Sequence, residues 1–172
     1  MRRNKTRKNL YMRRPATRLG SMSLAMVLAL IIGCAANQGC RETPQGPPRV
    51  IIQATNGKEV AVDVELARRP SEQSRGLMYR QHLDPDSGML FVYMIEGKHS
   101  FYMKNTYIPL DMIFIGSNMR VVGIARNTKP LSTKHIGGEI TSQYILEVNA
   151  GFCERQSIEE GAVVRFEGFN PD

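Results

Sequence analysis

The sequence TNGKEVAVDVEL, residues 55–66, decides the fold class of this chain. Apolar side chains stand at every second position from residue 60 to residue 66, and acidic side chains fall at two of the positions between them. This alternation predicts a β-strand with one face in a core and the other in water. The Asn-Gly pair at 56–57 is the commonest signal for a hairpin turn. With residues 50–53 as its partner, the strand is expected to begin the domain as an antiparallel hairpin.

The rest of the chain is composed of short apolar runs separated by turns. A short helix is expected to start at Pro70, because proline fits the first helical turn, and to run to about Met78. Gly76 inside it costs ~1 kcal/mol relative to alanine, which indicates close backbone packing there. We therefore expect a mainly β fold, a small antiparallel barrel or sandwich of about eight short strands with one or two short helices. The expected strands are 50–53, 58–66, 89–94, 100–104, 110–115, 120–126, 143–148 and 162–167.

The N-terminus has the pattern of an export signal. Residues 1–19 hold eight basic side chains and no acidic one, and residues 24–32 are an uninterrupted apolar run. A membrane-spanning helix needs ~20 apolar residues, so this shorter run predicts a signal peptide. Met12 offers a second start for an ordinary signal, and the sequence leaves the choice between Met1 and Met12 open.

The sequence LIIGC, residues 30–34, resembles the lipobox of bacterial lipoproteins. The resemblance implies that Cys34 is lipidated and becomes the mature N-terminus, anchored in the membrane by its acyl chains. Ala35 follows the cysteine, which favours the outer membrane, facing the periplasm, over the inner membrane. A plain transmembrane anchor and an unlipidated secreted protein are the alternatives.

Three segments result from this division of the chain. Residues 1–33 are predicted to be a lipoprotein-type signal peptide, residues 34–49 a lipidated flexible linker rich in Gly, Pro and Gln, and residues 50–169 a single β-rich domain. Cys40 in the linker and Cys153 in the domain either form a disulfide in the oxidising periplasm or remain separate. The sequence leaves both possibilities open.

The charge of the whole chain gives a misleading indication of its partners. The chain has 23 basic and 16 acidic residues, a net charge of +7. Eight of the basic residues belong to the leader. After position 19, 23 minus 8 leaves 15 basic residues against 16 acidic ones, a net charge of about −1. A basic surface is the usual requirement for nucleic-acid binding, so we expect no nucleic-acid partner.

The sequence SFYMKNTYIPLD, residues 100–111, has the mixed composition of a binding site. Asp111 lies in an otherwise apolar strand, so its carboxylate needs a partner or a raised pKa. Arg75, Arg80 and Lys104 are the expected partners, either as a structural ion pair or as the wall of a pocket for a small anionic or polyhydroxylated ligand. The predicted ligand-binding residues are Arg75, Arg80, Tyr102, Lys104, Asn105, Thr106 and Asp111.

Five motifs together resemble the domain of unknown function 192 family. They are RGLMYR (75–80), GMLFVY (88–93), FYMKNTYIPLD (101–111), YILEVNAG (144–151) and IEEGAVVRF (158–166). The resemblance implies a mostly β fold, frequent export and no established general activity. Two positions depart from the family pattern: Tyr102 replaces a common tryptophan, and Arg69 replaces the usual threonine or serine helix cap.

Two functions fit these observations. The preferred one is a non-enzymatic binding domain, on a membrane-anchored periplasmic lipoprotein, for a small polar or anionic component of the cell envelope or a protein partner. The alternative is a hydrolase acting on a cell-wall or sugar derivative, with Asp111 in acid/base chemistry. We expect no cofactor and no metal, because the chain has no P-loop or zinc-binding motif.

Overall fold

The structure, a computed structural model, describes residues 46–171. This part of the chain holds seven strands and two short helices, so the predicted mainly β fold is confirmed. The predicted signal peptide and most of the predicted linker, including Cys34 and Cys40, lie outside the described residues. Neither helix in residues 46–171 has the length and hydrophobicity needed to cross a membrane. The elements are β1 (Arg49–Gln53), β2 (Glu59–Ala67), α1 (Pro70–Arg75), β3 (Ser87–Lys98), β4 (Leu110–Ile115), β5 (Val121–Thr128), β6 (Thr141–Asn149), α2 (Phe152–Arg155) and β7 (Val163–Glu167).

The seven strands form one sheet in the order β5-β4-β6-β3-β2-β1-β7. Neighbouring strands are antiparallel except β2 and β3, which run parallel. Parallel neighbours need a crossover, and α1 lies in the connection between these two strands. The sheet is therefore mixed rather than purely antiparallel. A bridge between Arg120 and Val163 joins the two outer ends, so the sheet curls into a half-barrel.

The predicted hairpin at the start of the domain is confirmed. Strands β1 and β2 pair antiparallel, with Ile52 opposite Val60. The even-numbered valines of β2 are buried and the residues between them are exposed. Residues 54–58 form the connection, in which Gly57 has a φ of 81° and the Ala54 amide donates to the Lys58 carbonyl at 2.9 Å. The period-two pattern of the sequence thus gives the correct buried face.

Apolar side chains cover both faces of the sheet. The inner core lies on the concave face, because it includes Val121 and Val164 from the two outer strands together with side chains of α2. The outer core lies on the opposite face and includes Phe91, Met112 and Ile145. All six residues of β4 are buried, since this strand contributes side chains to both cores.

The predicted strand at 100–104 is wrong. Phe101 forms only an isolated bridge with Ile136, through a reciprocal pair of backbone hydrogen bonds of 2.9 and 3.0 Å. Met103 is buried in the outer core, and its amide donates to the Ser132 carbonyl. We call residues 100–104 the cover segment, because they lie in an extended conformation across the outer core. A segment in this position alternates between buried and exposed residues although it is not a strand of the sheet.

Helix α1 is shorter than predicted and begins without a serine or threonine cap. The Glu72 carboxylate accepts hydrogen bonds from the amides of Arg68 and Arg69, at 3.0 and 2.9 Å, and also pairs with the Arg69 guanidinium. The Arg69 side chain and these amides lower the pKa of Glu72 to about 2. The helix ends at Arg75 because Gly76 adopts a positive φ of 49°.

Candidate functional site

A cleft of about 310 Å³ opens on the outer face of the sheet. One wall is α1 with the residues that follow it, and the opposite wall is the cover segment that begins at Ser100. Strands β3 and β6 contribute Phe91, Tyr93 and Glu147 to the lining. We call this feature the Glu147 cleft. It is lined by Pro70, Gln73, Ser74, Arg75, Gly76, Leu77, Met78, Phe91, Tyr93, Ser100, Phe101, Tyr102, Thr106 and Glu147.

Glu147 is the most unusual residue of the cleft. Its side chain projects from the middle of β6, between Met89 of β3 and Met112 of β4, and the residue is only 5% exposed. Within residues 46–171 the carboxyl group makes no hydrogen bond and no ion pair. Burial raises the pKa of Glu147 to about 8, so the group is mostly protonated and neutral at pH 7.

Gly76 leaves the space above Glu147 open. A Cβ atom on Gly76 would lie 3.1 Å from Cζ of Phe91 and 3.8 Å from Oε2 of Glu147. The ring tip and the carboxyl group therefore lie together under the Gly76 backbone. Any side chain at this position would narrow the cleft, and its positive φ would also be strained. The close backbone packing that the sequence predicts at Gly76 is present.

Tyr93 lies close to Glu147 and is held by a second ring. The His99 ring stacks on Tyr93 with a centroid separation of 3.6 Å and an interplanar angle of 15°. Burial raises the pKa of Tyr93, and the nearby Glu147 carboxyl raises it further. Burial lowers the pKa of His99, whose Nε2 is buried without a hydrogen-bond partner in the described part of the chain. Tyr93 and His99 are therefore both neutral at pH 7.

Three of the seven predicted site residues line the Glu147 cleft: Arg75, Tyr102 and Thr106. Arg75 is exposed at the end of α1, and its side chain pairs with no carboxylate in residues 46–171. Tyr102 is 42% exposed, so its ring lies at the rim. Thr106 is buried, and its amide donates to the Met103 carbonyl at 3.1 Å. The cleft thus has a basic, partly aromatic mouth and an acidic interior.

Three further predicted residues lie outside the lining of the cleft. Asn105 has a positive φ of 57°, and its Nδ2 donates to Oη of Tyr79 at 2.9 Å. The Tyr79 amide in turn donates to the Asn105 carbonyl at 2.8 Å, so these two turns are tied together. Arg80 pairs with Glu65 through Nη1 and Oε1 at 2.6 Å. Lys104 is exposed and forms no ion pair among the described residues.

Asp111 has no solvent exposure and faces away from the cleft. It lies opposite Val148 in the β4–β6 ladder, so its side chain joins the inner core while Glu147 points to the outer face. Its Oδ1 accepts the Asn127 amide at 2.8 Å, and its Oδ2 accepts the Cys153 amide at 3.0 Å. Both carboxylate oxygens are therefore satisfied by backbone amides.

The expected ion pair of Asp111 with Arg75, Arg80 or Lys104 is wrong. The error arises because the sequence does not tell which face of β4 the carboxylate occupies. The Cys153 thiol is also buried in the inner core, and burial, with the neighbouring Asp111 carboxylate, raises its pKa to about 12. Its possible disulfide partner Cys40 lies outside the described residues, so that pairing stays a prediction.

Sequence reasoning missed Glu147, although a signal for it is present. The run YILEV, residues 144–148, is apolar except for this one acid, as the run around Asp111 is apolar except for Asp111. The rule that a buried acid needs a partner or a raised pKa applies to both residues. Applied to Glu147, it would have named a second candidate acid beside Asp111, without deciding between the two.

Comparison with known proteins assigns the family. The model of the DUF192 family, described as "Uncharacterized ACR", matches residues 51–166. The chain belongs to this family, whose function is unknown. UPF0127 protein PF1050 of Pyrococcus furiosus is 28% identical over 116 residues, which cover 64% of this chain and 92% of that protein.

Two solved structures are similar to this one. A Sinorhizobium meliloti protein described as a candidate transcription regulator has 38% sequence identity and a TM-score of 0.68, over 71% of this chain and 95% of its own. A protein of unknown function from Novosphingobium aromaticivorans has 36% identity and a TM-score of 0.65, over 68% of this chain and 83% of its own. Both confirm the small β fold.

Proposed function

We propose that this chain is an exported lipoprotein of the cell envelope, anchored to the outer membrane through Cys34, whose domain binds a small polar ligand in the Glu147 cleft without chemical conversion. The observation that carries the proposal is the carboxyl group of Glu147, which is buried, unpaired within residues 46–171 and directed into an open cleft. The lipobox at residues 30–34 supports the anchor.

A purely structural role does not explain Glu147. Its cross-strand neighbours are methionines, so an apolar side chain at this position would remove a desolvation cost of ~1–3 kcal/mol. A ligand that hydrogen-bonds the carboxyl group offsets this cost when it binds. The cleft volume of about 310 Å³ lies at the lower end of the range for small-molecule sites, ~300–1,000 Å³, which favours a small ligand.

One observation favours the alternative function, a hydrolase. Oγ of Ser100, which lines the cleft, lies 2.9 Å from Nδ1 of His135, a separation suited to activation of a serine nucleophile. Both residues are exposed, and no carboxylate in residues 46–171 orients His135. Asp111, the acid/base residue of the hydrolase hypothesis, has no exposed surface. If the protein hydrolyses p-nitrophenyl acetate and Ser100→Ala abolishes this activity, the enzyme is favoured. If the wild type and Ser100→Ala both show only the background rate of hydrolysis, Ser100 and His135 are excluded as a catalytic pair.

Binding is tested by NMR on the full chain in mild detergent. N-acetylglucosamine, succinate, inorganic phosphate and ethanolamine are titrated separately to about 10 mM, and amide shifts are followed. We expect at least one probe to shift the amides of Ser74 and Gly76, which line the cleft, while the amide of exposed Val122 stays unchanged. Glu147→Gln should weaken that binding. Failure of all four probes, or equal shifts throughout the domain, contradicts the proposal.

A further inference from the structure

We infer that the ligand of the Glu147 cleft is a small zwitterion, with an ammonium group against Glu147 at the inner end and an anionic group against Arg75 at the mouth. This inference rests on the binding function proposed above and names the chemistry of its ligand. It follows from the presence in one cleft of a buried acid, Glu147, and an exposed cation, Arg75, and from the aromatic side chains that line the cleft.

The inner end of the cleft offers a hydrogen-bond acceptor with no donor. Glu147 is 95% buried by area, since only 5% of the residue is exposed, and no described N–H or O–H group reaches its carboxyl oxygens. An ammonium group supplies both N–H donors and a positive charge, and charge-assisted hydrogen bonds are the stronger kind. A ligand with a primary ammonium group therefore satisfies Glu147 better than an uncharged one does.

The walls next to Glu147 also favour a cation. Phe91, Tyr93, Phe101 and Tyr102 all line the cleft. The faces of aromatic rings carry partial negative charge and attract ammonium groups within ~6 Å of the ring centre. The Phe91 and Phe101 rings stand perpendicular with centroids 5.1 Å apart, so they form a fixed corner. Of these four rings, Phe91 and Tyr93 lie near Glu147, and Tyr102 lies at the rim.

The mouth of the cleft holds a cation. Arg75 is exposed and has no carboxylate partner in the described part of the chain, so its guanidinium is available to an anionic group. Arg75 and Glu147 form no ion pair with each other in residues 46–171, so each is available to a separate group of a ligand.

The test is isothermal titration of the full chain in detergent with four probes. Ethanolamine carries the ammonium group alone, inorganic phosphate carries the anion alone, phosphoethanolamine carries both, and phosphocholine carries both but lacks N–H donors. We expect phosphoethanolamine to bind at least ~10-fold more tightly than each of the other three. Because binding displaces the Glu147 proton, the affinity for ethanolamine should rise ~10-fold from pH 6 to pH 7 and a further ~5-fold from pH 7 to pH 8.

Two variants test the inner end and the mouth of the cleft independently. Glu147→Gln should weaken ethanolamine binding at pH 8 by at least ~30-fold and should make it independent of pH. Arg75→Ala should leave ethanolamine binding unchanged and abolish the gain from the phosphate group. Lys104→Ala, which removes an exposed cation outside the cleft lining, is the matched control for Arg75→Ala.

The outcomes distinguish the inference from the proposed function. Binding of N-acetylglucosamine or succinate, with none of ethanolamine, overturns the zwitterion and leaves the binding function intact. Equal binding of phosphate and phosphoethanolamine, unaffected by Glu147→Gln, also overturns it. No binding of any probe overturns both. Binding to phosphatidylethanolamine vesicles is then compared with binding to phosphatidylglycerol vesicles, and free phosphoethanolamine is added as a competitor. This comparison identifies the source of the ligand as a lipid headgroup or a free metabolite, and either result supports the zwitterion.

Discussion

Replacing Glu147 by glutamine should remove a large pH dependence of stability. The folded protein holds the Glu147 proton up to a pKa of about 8, whereas the unfolded chain releases it near the ordinary value of 4.5. The folded state therefore binds more protons between these values, so the free energy of unfolding falls as the pH rises from 4.5 to 8. A gap of about 3.5 pH units, at about 1.4 kcal/mol per unit, corresponds to a loss of roughly 5 kcal/mol.

Glutamine keeps the shape of the side chain and cannot ionise. The variant should match the wild type near pH 4.5 and exceed its stability by up to roughly 5 kcal/mol at pH 8. Other groups titrate in this range, so the informative quantity is the difference between the two proteins at each pH. Of the groups that line the cleft with Glu147, Tyr93 stays neutral over this range because burial raises its pKa.

Urea unfolding at pH 5, 6, 7 and 8 measures this difference, followed by tyrosine fluorescence because the chain has no tryptophan. Glu160→Gln makes the same chemical change at an exposed position and is the control. Stabilities of wild type and Glu147→Gln that run parallel from pH 5 to pH 8 would refute the reasoning. They would mean that Glu147 is already ionised or satisfied by a partner in the folded protein.

Three further predictions concern residues outside the cleft. Asp111→Asn should lower the free energy of unfolding by about 3 kcal/mol, because the amide cannot accept both backbone hydrogen bonds; a loss below about 1 kcal/mol in urea unfolding contradicts this. Lys104→Ala should keep the melting temperature within about 3 °C, as expected for an exposed residue with no ion pair in the described part; a larger drop in calorimetry indicates a structural contact. Cys34→Ser should abolish membrane fractionation; a variant that still sediments with membranes contradicts lipid anchoring.

The sequence predicts well those parts of the fold that depend on local patterns. The hairpin of β1 and β2 follows from period-two alternation and an Asn-Gly turn, both of which lie within about twenty residues. The parallel pairing of β2 with β3 does not follow from such a pattern. It depends on where the chain returns after α1, and strand pairing of this kind is decided by long-range packing.

The same limit explains the misassigned strand at 100–104. Its residues alternate between buried and exposed as strand residues do, since Met103 is buried and Tyr102 and Lys104 are exposed. Alternation reports that one side of an extended segment faces a core, and a cover segment satisfies this condition as well as a strand does. Only the position of residues 132–136, which pair with the segment, separates the two cases.

Asp111 and Glu147 show why the site itself could not be chosen from the sequence. Each is the single acid in a buried apolar strand, and the register of β4 with β6 places them on opposite faces. Asp111 meets two backbone amides where the chain closes over the inner core. Glu147 lies beneath Gly76, where the absence of a side chain leaves the outer face open. Since identical local patterns give one satisfied acid and one unpaired acid, the acid that remains open to a cleft is decided by what covers each face of the sheet.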